Sequence, residues 1–288
     1  ALETYLAQKG SNKGKTFHAA AQRACAYLVE ASGAKDLADY SRTDALKYRD
    51  YLIAKGMAGS SVSRVISSIR AVMNFAISEY ALDLKNPFVG MYHDRLAGVS
   101  KRLPIPIEDI RKVQQQCLSL DDDLRWLVAL VSDTGMRLAE VSGLLKTDII
   151  LDEDIPFIRV QPHSWRKLKT AGSERDVPLV GVSLWAAQRL LDAYPDSGYA
   201  FPRYNKTTIT NANSASAALN KWLHPYVPNG CTMHSFRHSM RDRLRAVECP
   251  ADVVDQIGGW TTGGVGQGYG SGYSLEVCFR WMKKMEGK

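Results

Sequence analysis

Three short stretches in the second half of the chain carry side chains suited to chemistry on a phosphodiester. Transfer of a phosphodiester without a metal needs cationic donors around the phosphate, a nucleophile in line with the leaving oxygen, and an acid that protonates that oxygen. The sequence contains none of the G-x-x-x-x-G-K-S/T, H-E-x-x-H or G-x-S-x-G motifs that are typical of NTP-dependent enzymes, zinc hydrolases and α/β-hydrolases.

The first stretch is 134–144, with the sequence TGMRLAEVSGL. A tight turn at Gly135 is predicted to place Arg137 at the start of a short helix, where the guanidinium and free backbone N–H groups can bind an anion. Taken alone, an arginine at this position is more often a surface charge. Glu140 is interpreted as orienting neighbouring donors, and the alternative is a solvated helix carboxylate.

The second stretch is 234–238, with the sequence HSFRH, on a helix predicted over 232–247. His234 and Arg237 are three residues apart and therefore share a helix face, so both can point at one phosphate. His238 is interpreted as a partly buried histidine that forms hydrogen bonds.

The third stretch, 258–273, is rich in glycine and has the sequence GGWTTGGVGQGYGSGY. The glycines leave Tyr269 on a pliable segment, from which a nucleophile could approach a phosphate or withdraw from it. The alternative is a surface loop with an incidental tyrosine. Tyr273 is a second candidate in the same stretch.

Taken in this order, the motifs resemble the tyrosine recombinase family, or phage integrase family, which includes lambda integrase, Cre and the Xer recombinases. The family pattern is an arginine in a T-G-x-R-x-x-E turn, an H-x-x-R-H helix, then a histidine or tryptophan, and a tyrosine about nine residues later. The matching residues are Arg137, His234, Arg237, Trp260 and Tyr269. The resemblance covers nearly the whole chain and is strongest from 130 to 275.

The resemblance also implies a lysine in a β-hairpin between the first arginine and the H-x-x-R helix. Lys169 opens the matching segment, 169–178, and Lys167 and Arg166 are nearby alternatives. Many family members have histidine where Trp260 stands. An indole can donate one hydrogen bond and pack, but it does not shuttle protons.

The resemblance and the chemistry together imply a mechanism without metal, cofactor or ATP. Tyr269, favoured over Tyr273 by its spacing from Trp260, attacks a DNA phosphate and forms a 3′-phosphotyrosine link, leaving a free 5′-hydroxyl. Arg137 and Arg237 are expected to clamp the non-bridging oxygens. Lys169 is expected to protonate the leaving oxygen, and His234 to assist the tyrosine by a hydrogen bond. Trp260 is expected to donate its indole N–H to the phosphate.

The first hundred residues read as helices, predicted over 16–31, from a cap at Ser41 to an end at Lys55-Gly56, and over 60–80. The polar face of the third helix contacts either phosphates or water. The candidate DNA-binding residues are Arg64, Ser67 and Arg70 on this face, and Lys101 and Arg102 in the linker that follows.

The remaining sequence predicts helices over 107–118, 123–132, 138–144, 184–194, 214–223 and 232–247, strands over 149–151, 155–160 and 175–180, and an apolar helical stripe from Leu275 to Met285. The fold class is therefore mainly α with a small antiparallel β-sheet. With the resemblance, we expect a helical core-site-binding domain over 1–90, a linker over 91–104, and a mixed α/β catalytic domain over 105–288 with a C-terminal tail helix.

Composition is compatible with a DNA-binding protein but does not require one. The net charge is +7, with 13 Lys and Arg against 9 Asp and Glu in residues 1–100 and 24 against 21 afterwards, which favours a polyanionic partner. The five scattered cysteines are interpreted as reduced thiols and suggest no zinc site. Since no apolar run reaches the length of about 18 residues that spans a bilayer, and no signal peptide is seen, a cytoplasmic protein is expected.

The expected partners are double-stranded DNA recombination sites and further copies of the chain, as a homo-tetramer on DNA and a monomer in solution, with a role in mobile-element or phage integration and excision. The tail helix packs either on its own domain or on a neighbouring subunit. Two alternatives remain: a type IB topoisomerase or telomere resolvase, and a non-cleaving DNA-binding regulator with the same fold.

Overall fold

The computed structural model describes residues 1–206, 208–260 and 272–286. The chain forms two compact units, Ala1–Lys101 and Arg102–Lys288. The described residues are mostly helical and include two small antiparallel sheets, so the predicted fold class is confirmed. No helix within the described ranges has the length and apolar character needed to cross a membrane.

The first unit consists of four helices: α1 (Leu2–Lys9), α2 (Lys15–Ser32), α3 (Arg42–Ala54) and α4 (Gly59–Glu79). Ser41 caps α3, since its hydroxyl accepts the N–H of Asp44 and the Asp44 carboxylate accepts the N–H of Ser41. α4 packs against α2 and α3 through an apolar stripe with helical spacing, which includes Val62, Ile66, Ile69, Met73 and Ala76. Helix α1 was not predicted.

The second unit holds the remaining elements. Its helices are α5 (Ile107–Leu120), α6 (Asp123–Thr134), α7 (Leu138–Ser142), α8 (Gly181–Asp192), α9 (Ala212–Leu223), α10 (Ser235–Ala246), α11 (Ala251–Gly258) and α12 (Leu275–Glu286). Helix α6 is central, because it is buried from Leu127 to Thr134 and packs against α5, α8 and α10. Helix α12 packs on α10 and on strand β3 (Arg175–Pro178).

The main sheet has the strand order β1 (Ile149–Ile150), β2 (Phe157–Val160) and β3, and is antiparallel throughout. Its register sets Val160, the last residue of β2, opposite Arg175, the first residue of β3. The connection 161–174 therefore begins and ends at the same end of these two strands. A second pair, β4 (Asn205–Lys206) and β5 (Ile209–Thr210), was not predicted.

Two helices differ from the prediction in ways that affect the functional site. α10 begins at Ser235 instead of 232 because the Ser235 hydroxyl accepts the N–H of Thr232 at 3.1 Å and closes a turn before the helix. α11 was not predicted, although it ends directly before the Gly-Trp pair of the third stretch.

Candidate active site

The turn between α6 and α7 fixes Arg137 and Glu140. α6 ends at Gly135 with φ +58°, and a Cβ at this position would lie 2.6 Å from Cε of Met240, so the turn requires glycine for both its conformation and its space. The Arg137 N–H donates to Oε2 of Glu140 at 2.9 Å, and Nη1 of Arg137 donates to Oε1 at 2.6 Å. Glu140 therefore holds both the main chain and the side chain of Arg137.

Arg175 supplies a second guanidinium to Glu140, a role that no sequence motif indicated. Its side chain is only 4% exposed and donates from Nη2 to Glu140 at 3.0 Å. Burial tends to raise the pKa of Glu140, but the ion pair with Arg175 and the hydrogen bonds from Arg137 outweigh it and hold that pKa below its usual range. Glu140 is therefore a buried, ionised carboxylate between two arginines and not a solvated one.

Arg237 of α10 belongs to the same cluster. Its side chain is buried and donates to two main-chain oxygens, those of Gly135 at 2.8 Å and of Gly258. Burial, followed by the positive charges of Arg137 and Arg175, lowers the pKa of Arg237. A cation crowded by like charges is stabilised when an anion binds beside it, so this arrangement suits a phosphate.

Trp260 stacks on the arginines of α10. Its ring centroid lies 4.2 Å from the guanidinium carbon of Arg237 and 4.8 Å from that of Arg241, within the range of cation–π interaction. The indole also packs on the end of α11, because a Cβ on Gly258 would lie 1.9 Å from the ring. The structure thus gives Trp260 a bracing contact with Arg237.

His234 stands at the N-cap of α10, with its ring edge-on to that of His238 at 5.5 Å. Although His234 is exposed at the surface, partial desolvation by the surrounding side chains lowers its pKa to about 4, and the positive charges of Arg102, His238 and Arg237 add to the effect. The imidazole is therefore neutral at pH 7 and able to accept a proton. His238 is exposed, contrary to our expectation of partial burial.

Lys169 lies in the connection between β2 and β3, and its side chain is exposed. The connection returns to the cluster at Ser173, whose hydroxyl accepts a hydrogen bond from Nη1 of Arg137 at 3.1 Å. Of the two alternatives to Lys169, Lys167 is exposed, whereas Arg166 is 3% exposed and bonds to main-chain oxygens.

Tyr269 falls in 261–271, outside the described residues, but the other tyrosine candidate is described. The Tyr273 hydroxyl donates to Oδ2 of Asp252 at 2.5 Å, and its backbone N–H and C=O bond to the Gln256 amide, each at 2.7 Å. The hydrogen bond to Asp252 raises the pKa of Tyr273. The Tyr273 hydroxyl is therefore engaged by Asp252 in this structure.

The candidate DNA-binding residues are all exposed. Arg64, Ser67 and Arg70 lie on the solvent-facing side of α4 in the first unit. Lys101 ends the first unit and Arg102 begins the second, where its charge influences His234.

A family model described as the phage integrase family matches residues 107–270. This span includes every member of the arginine cluster, the lysine connection and Tyr269. The chain belongs to the phage integrase family. This membership agrees with the resemblance to tyrosine recombinases that the sequence motifs suggested.

Among curated proteins, this integrase-family chain is similar to the tyrosine recombinase XerD of Halalkalibacterium halodurans, with 29% identity over 156 residues. The match covers 52% of the chain, and the chain spans about half the length of the relative, 48%.

Two solved structures show the same fold. The first is a Tn1549 transposon integrase in complex with transposon right end DNA, with a TM-score of 0.70, 18% identity, and coverage of 91% of this chain and 90% of that one. The second is a lambda integrase tetramer bound to a Holliday junction, with a TM-score of 0.68, 14% identity, and coverage of 92% and 73%.

Proposed function

We propose that this chain is a site-specific DNA recombinase that cuts and rejoins DNA through a covalent 3′-phosphotyrosine at Tyr269. The observation that carries the proposal is the arginine cluster, in which Arg137 and Arg175 bond to the carboxylate of Glu140 and buried Arg237 feels the charges of all three. Such a cluster retains net positive charge, and guanidinium groups suit the oxygens of a phosphodiester.

In the proposed reaction the Tyr269 phenol oxygen forms a bond to phosphorus while the bond from phosphorus to the 5′-oxygen breaks. Arg137 and Arg237 stabilise the charge that develops on the non-bridging oxygens. His234, neutral at pH 7, accepts a hydrogen bond or the proton from the tyrosine. Because the phosphotyrosine keeps the energy of the broken ester, religation needs no ATP.

Three further residues complete the proposal. Lys169 protonates the departing 5′-oxygen, for which its exposed position on the β2–β3 connection leaves the ammonium accessible to DNA. Trp260 holds Arg237 by stacking and donates its indole N–H to the phosphate. Arg175 keeps Glu140 ionised and thereby holds Arg137 in place.

The similar structures support a proposal for the DNA substrate, the oligomeric state and the biological role. Those include a transposon integrase on transposon-end DNA and an integrase tetramer on a Holliday junction. We therefore propose that this chain acts on paired double-stranded sites as a homo-tetramer, in integration or excision of a mobile element or phage, within the cytoplasm of a prokaryotic cell.

The test selects the substrate and detects the covalent bond in one experiment. A library of random-sequence duplexes with nicks is incubated with the protein, the mixture is denatured in detergent, and DNA that remains linked to protein is sequenced. We expect linked DNA to share one sequence and to be absent with Tyr269→Phe.

Other outcomes separate the alternatives. Linked DNA with Tyr269→Phe would overturn the assignment of the nucleophile, and no linked DNA with the native chain would indicate a non-cleaving regulator. Relaxation of supercoiled plasmid without paired sites would favour a type IB topoisomerase over a recombinase.

A further inference from the structure

Arg166 is a buried arginine that the proposed reaction does not use. It is 3% exposed, and burial lowers the pKa of its guanidinium. Its Nη1 donates to the main-chain oxygen of Glu140 at 2.7 Å, and its Nη2 to the main-chain oxygen of Gln161 at 2.5 Å. Burying a cation is costly, and these two bonds join α7 to the start of the β2–β3 connection.

The neighbouring residue makes a second bond to α7. Nε1 of Trp165 donates to the main-chain oxygen of Gly143 at 3.2 Å. Gly143 also makes room for the arginine, because a Cβ there would lie 2.6 Å from Cδ of Arg166. The connection is therefore fitted to α7 by both hydrogen bonds and close packing.

The attached segment is a rigid turn. His163 and Arg166 exchange two main-chain hydrogen bonds, of 2.9 and 3.1 Å. The His163 ring stacks on Trp165 with centroids 4.6 Å apart and an interplanar angle of 6°, and its Nε2 lies 2.8 Å from Oδ2 of buried Asp148. The backbone of this turn has little freedom to shift against α7.

Lys169 lies between this turn and a second attachment, which is made to Arg137 at the N-cap of α7. It is three residues after Arg166, a distance that an extended chain spans in at most about 10 Å. On its other side, the Ser173 hydroxyl accepts from Arg137 and lies 2.9 Å from the Thr170 hydroxyl. Both ends of the short segment that carries Lys169 are thus bonded to the α7 region that holds Arg137.

We infer that Arg166 is a positioning residue, which sets where the Lys169 ammonium can lie relative to the phosphate bound by Arg137. The inference rests on the proposed function, since it assigns Arg166 to delivery of the proton that Lys169 gives to the 5′-oxygen. Loss of Arg166 then slows the step in which the bond from phosphorus to the 5′-oxygen breaks, and leaves the phosphate clamp in place.

The experiment compares two selected duplexes that differ at one atom. One carries the natural 5′-oxygen at the cleaved bond and the other a 5′-bridging sulfur, whose thiolate leaves without a proton. We expect Arg166→Met to cleave the oxygen substrate about 100-fold more slowly, as expected for a misplaced catalytic group, and the sulfur substrate at the native rate. Arg166→Lys should fall between the two proteins.

Matched variants make the result specific. Arg159→Met removes a half-exposed arginine from β2 and should leave both rates unchanged. Trp165→Phe keeps an aromatic ring but removes the indole N–H that bonds to Gly143, so it should slow cleavage of the oxygen substrate less than Arg166→Met and show the same rescue by sulfur. This variant also carries the test if Arg166→Met does not fold.

Equal slowing of both substrates by folded Arg166→Met, or by Trp165→Phe in its place, would overturn the inference, and so would native rates on both. Lys169→Ala separates this failure from failure of the proposed function. If sulfur rescues Lys169→Ala but not the Arg166 variant, only the inference is lost. If sulfur fails to rescue Lys169→Ala, the acid role of Lys169 falls and the inference with it.

Discussion

Glu140 is the residue that holds two arginines of the cluster together. It accepts hydrogen bonds from Arg137 and Arg175 while nearly fully buried. Removal of one partner from a buried ion pair leaves uncompensated charge and costs about 3–5 kcal/mol. We expect Glu140→Gln to lose stability on that scale in urea unfolding at pH 7, whereas Glu174→Gln, an exposed control, should change little.

The same residue predicts a pH dependence. Since the pKa of Glu140 is lowered in the folded chain from its usual 4.5, its ionised form stabilises the fold above that pH, and this contribution is lost as pH falls through the folded value. The difference in unfolding free energy between the native chain and Glu140→Gln should therefore narrow below about pH 4.5. A difference that stays constant down to pH 3 would contradict the ion-pair account.

The lowered pKa of His234 predicts that its imidazole does not titrate in the ordinary histidine range. Its pKa is lowered to about 4, so the imidazole should stay neutral throughout the range in which an ordinary histidine titrates, near 6.5. Proton NMR of the DNA-free protein should show the His234 signal, assigned by its loss in His234→Asn, moving only slightly between pH 7 and 5. A midpoint near 6.5 for that signal would be inconsistent with the described site.

At the scale of elements, the end of α11 positions the indole against α10. Because the Trp260 ring occupies the space beside Gly258, Gly258→Ala should displace the ring from Arg237 and lower the cleavage rate about as much as Trp260→Ala. Gly198→Ala is a matched control, since its Cβ would have no neighbour within 4 Å. Native cleavage by Gly258→Ala would show that this packing is dispensable.

The sequence around α11 contains start and stop signals for a helix. Pro250 stands before its first residue, Asp252 lies in its first turn, and Gly259 follows with φ +60°, which are ordinary start and stop signals. We missed the helix because it has only eight residues and merges with the glycine-rich stretch. In contrast, α4 was predicted within a residue at each end because its apolar stripe is long and regular.

The C-terminal helix packs within its own unit. Cys278, Met282 and Met285 are buried in the core of the second unit, so the apolar stripe of the tail is satisfied on its own domain in this structure. Met282→Ala should therefore destabilise the isolated protein by about 2–5 kcal/mol in urea unfolding. Lys283→Ala, on the exposed side of α12, should have little effect, and equal stability of both variants would contradict the packing.

At the scale of the whole molecule, the sequence was sufficient for the order of the motifs and the fold class but not for the buried polar contacts. Arg166 was considered only as an alternative to Lys169 and Arg175 was given no role, because arginine is usually exposed. Their partners include the main-chain oxygens of Glu140 and Ile257, and main-chain oxygens occur at every residue and leave no mark in a sequence. Such contacts depend on tertiary structure that no local pattern specifies.

The charge distribution predicts how DNA binding responds to salt. If the exposed arginines of α4 contact phosphates, each one removed should lower the salt slope by about 1 and weaken binding to every DNA sequence alike. We expect this from Arg64→Ala and Arg70→Ala in binding titrations over a range of salt concentrations. Lys112→Ala, an exposed lysine on α5, is the control, and an unchanged slope in the arginine variants would place that face in water.

Mass spectrometry of the linked peptide can show directly whether Tyr269 becomes covalently joined to DNA. DNA-linked protein trapped on the selected nicked duplex is digested with nuclease and protease, and fragmentation of the peptide locates the residual nucleotide. We expect the added mass on Tyr269, and an undiminished yield with Tyr273→Phe. Added mass on Tyr273, or on any residue other than Tyr269, would contradict this assignment.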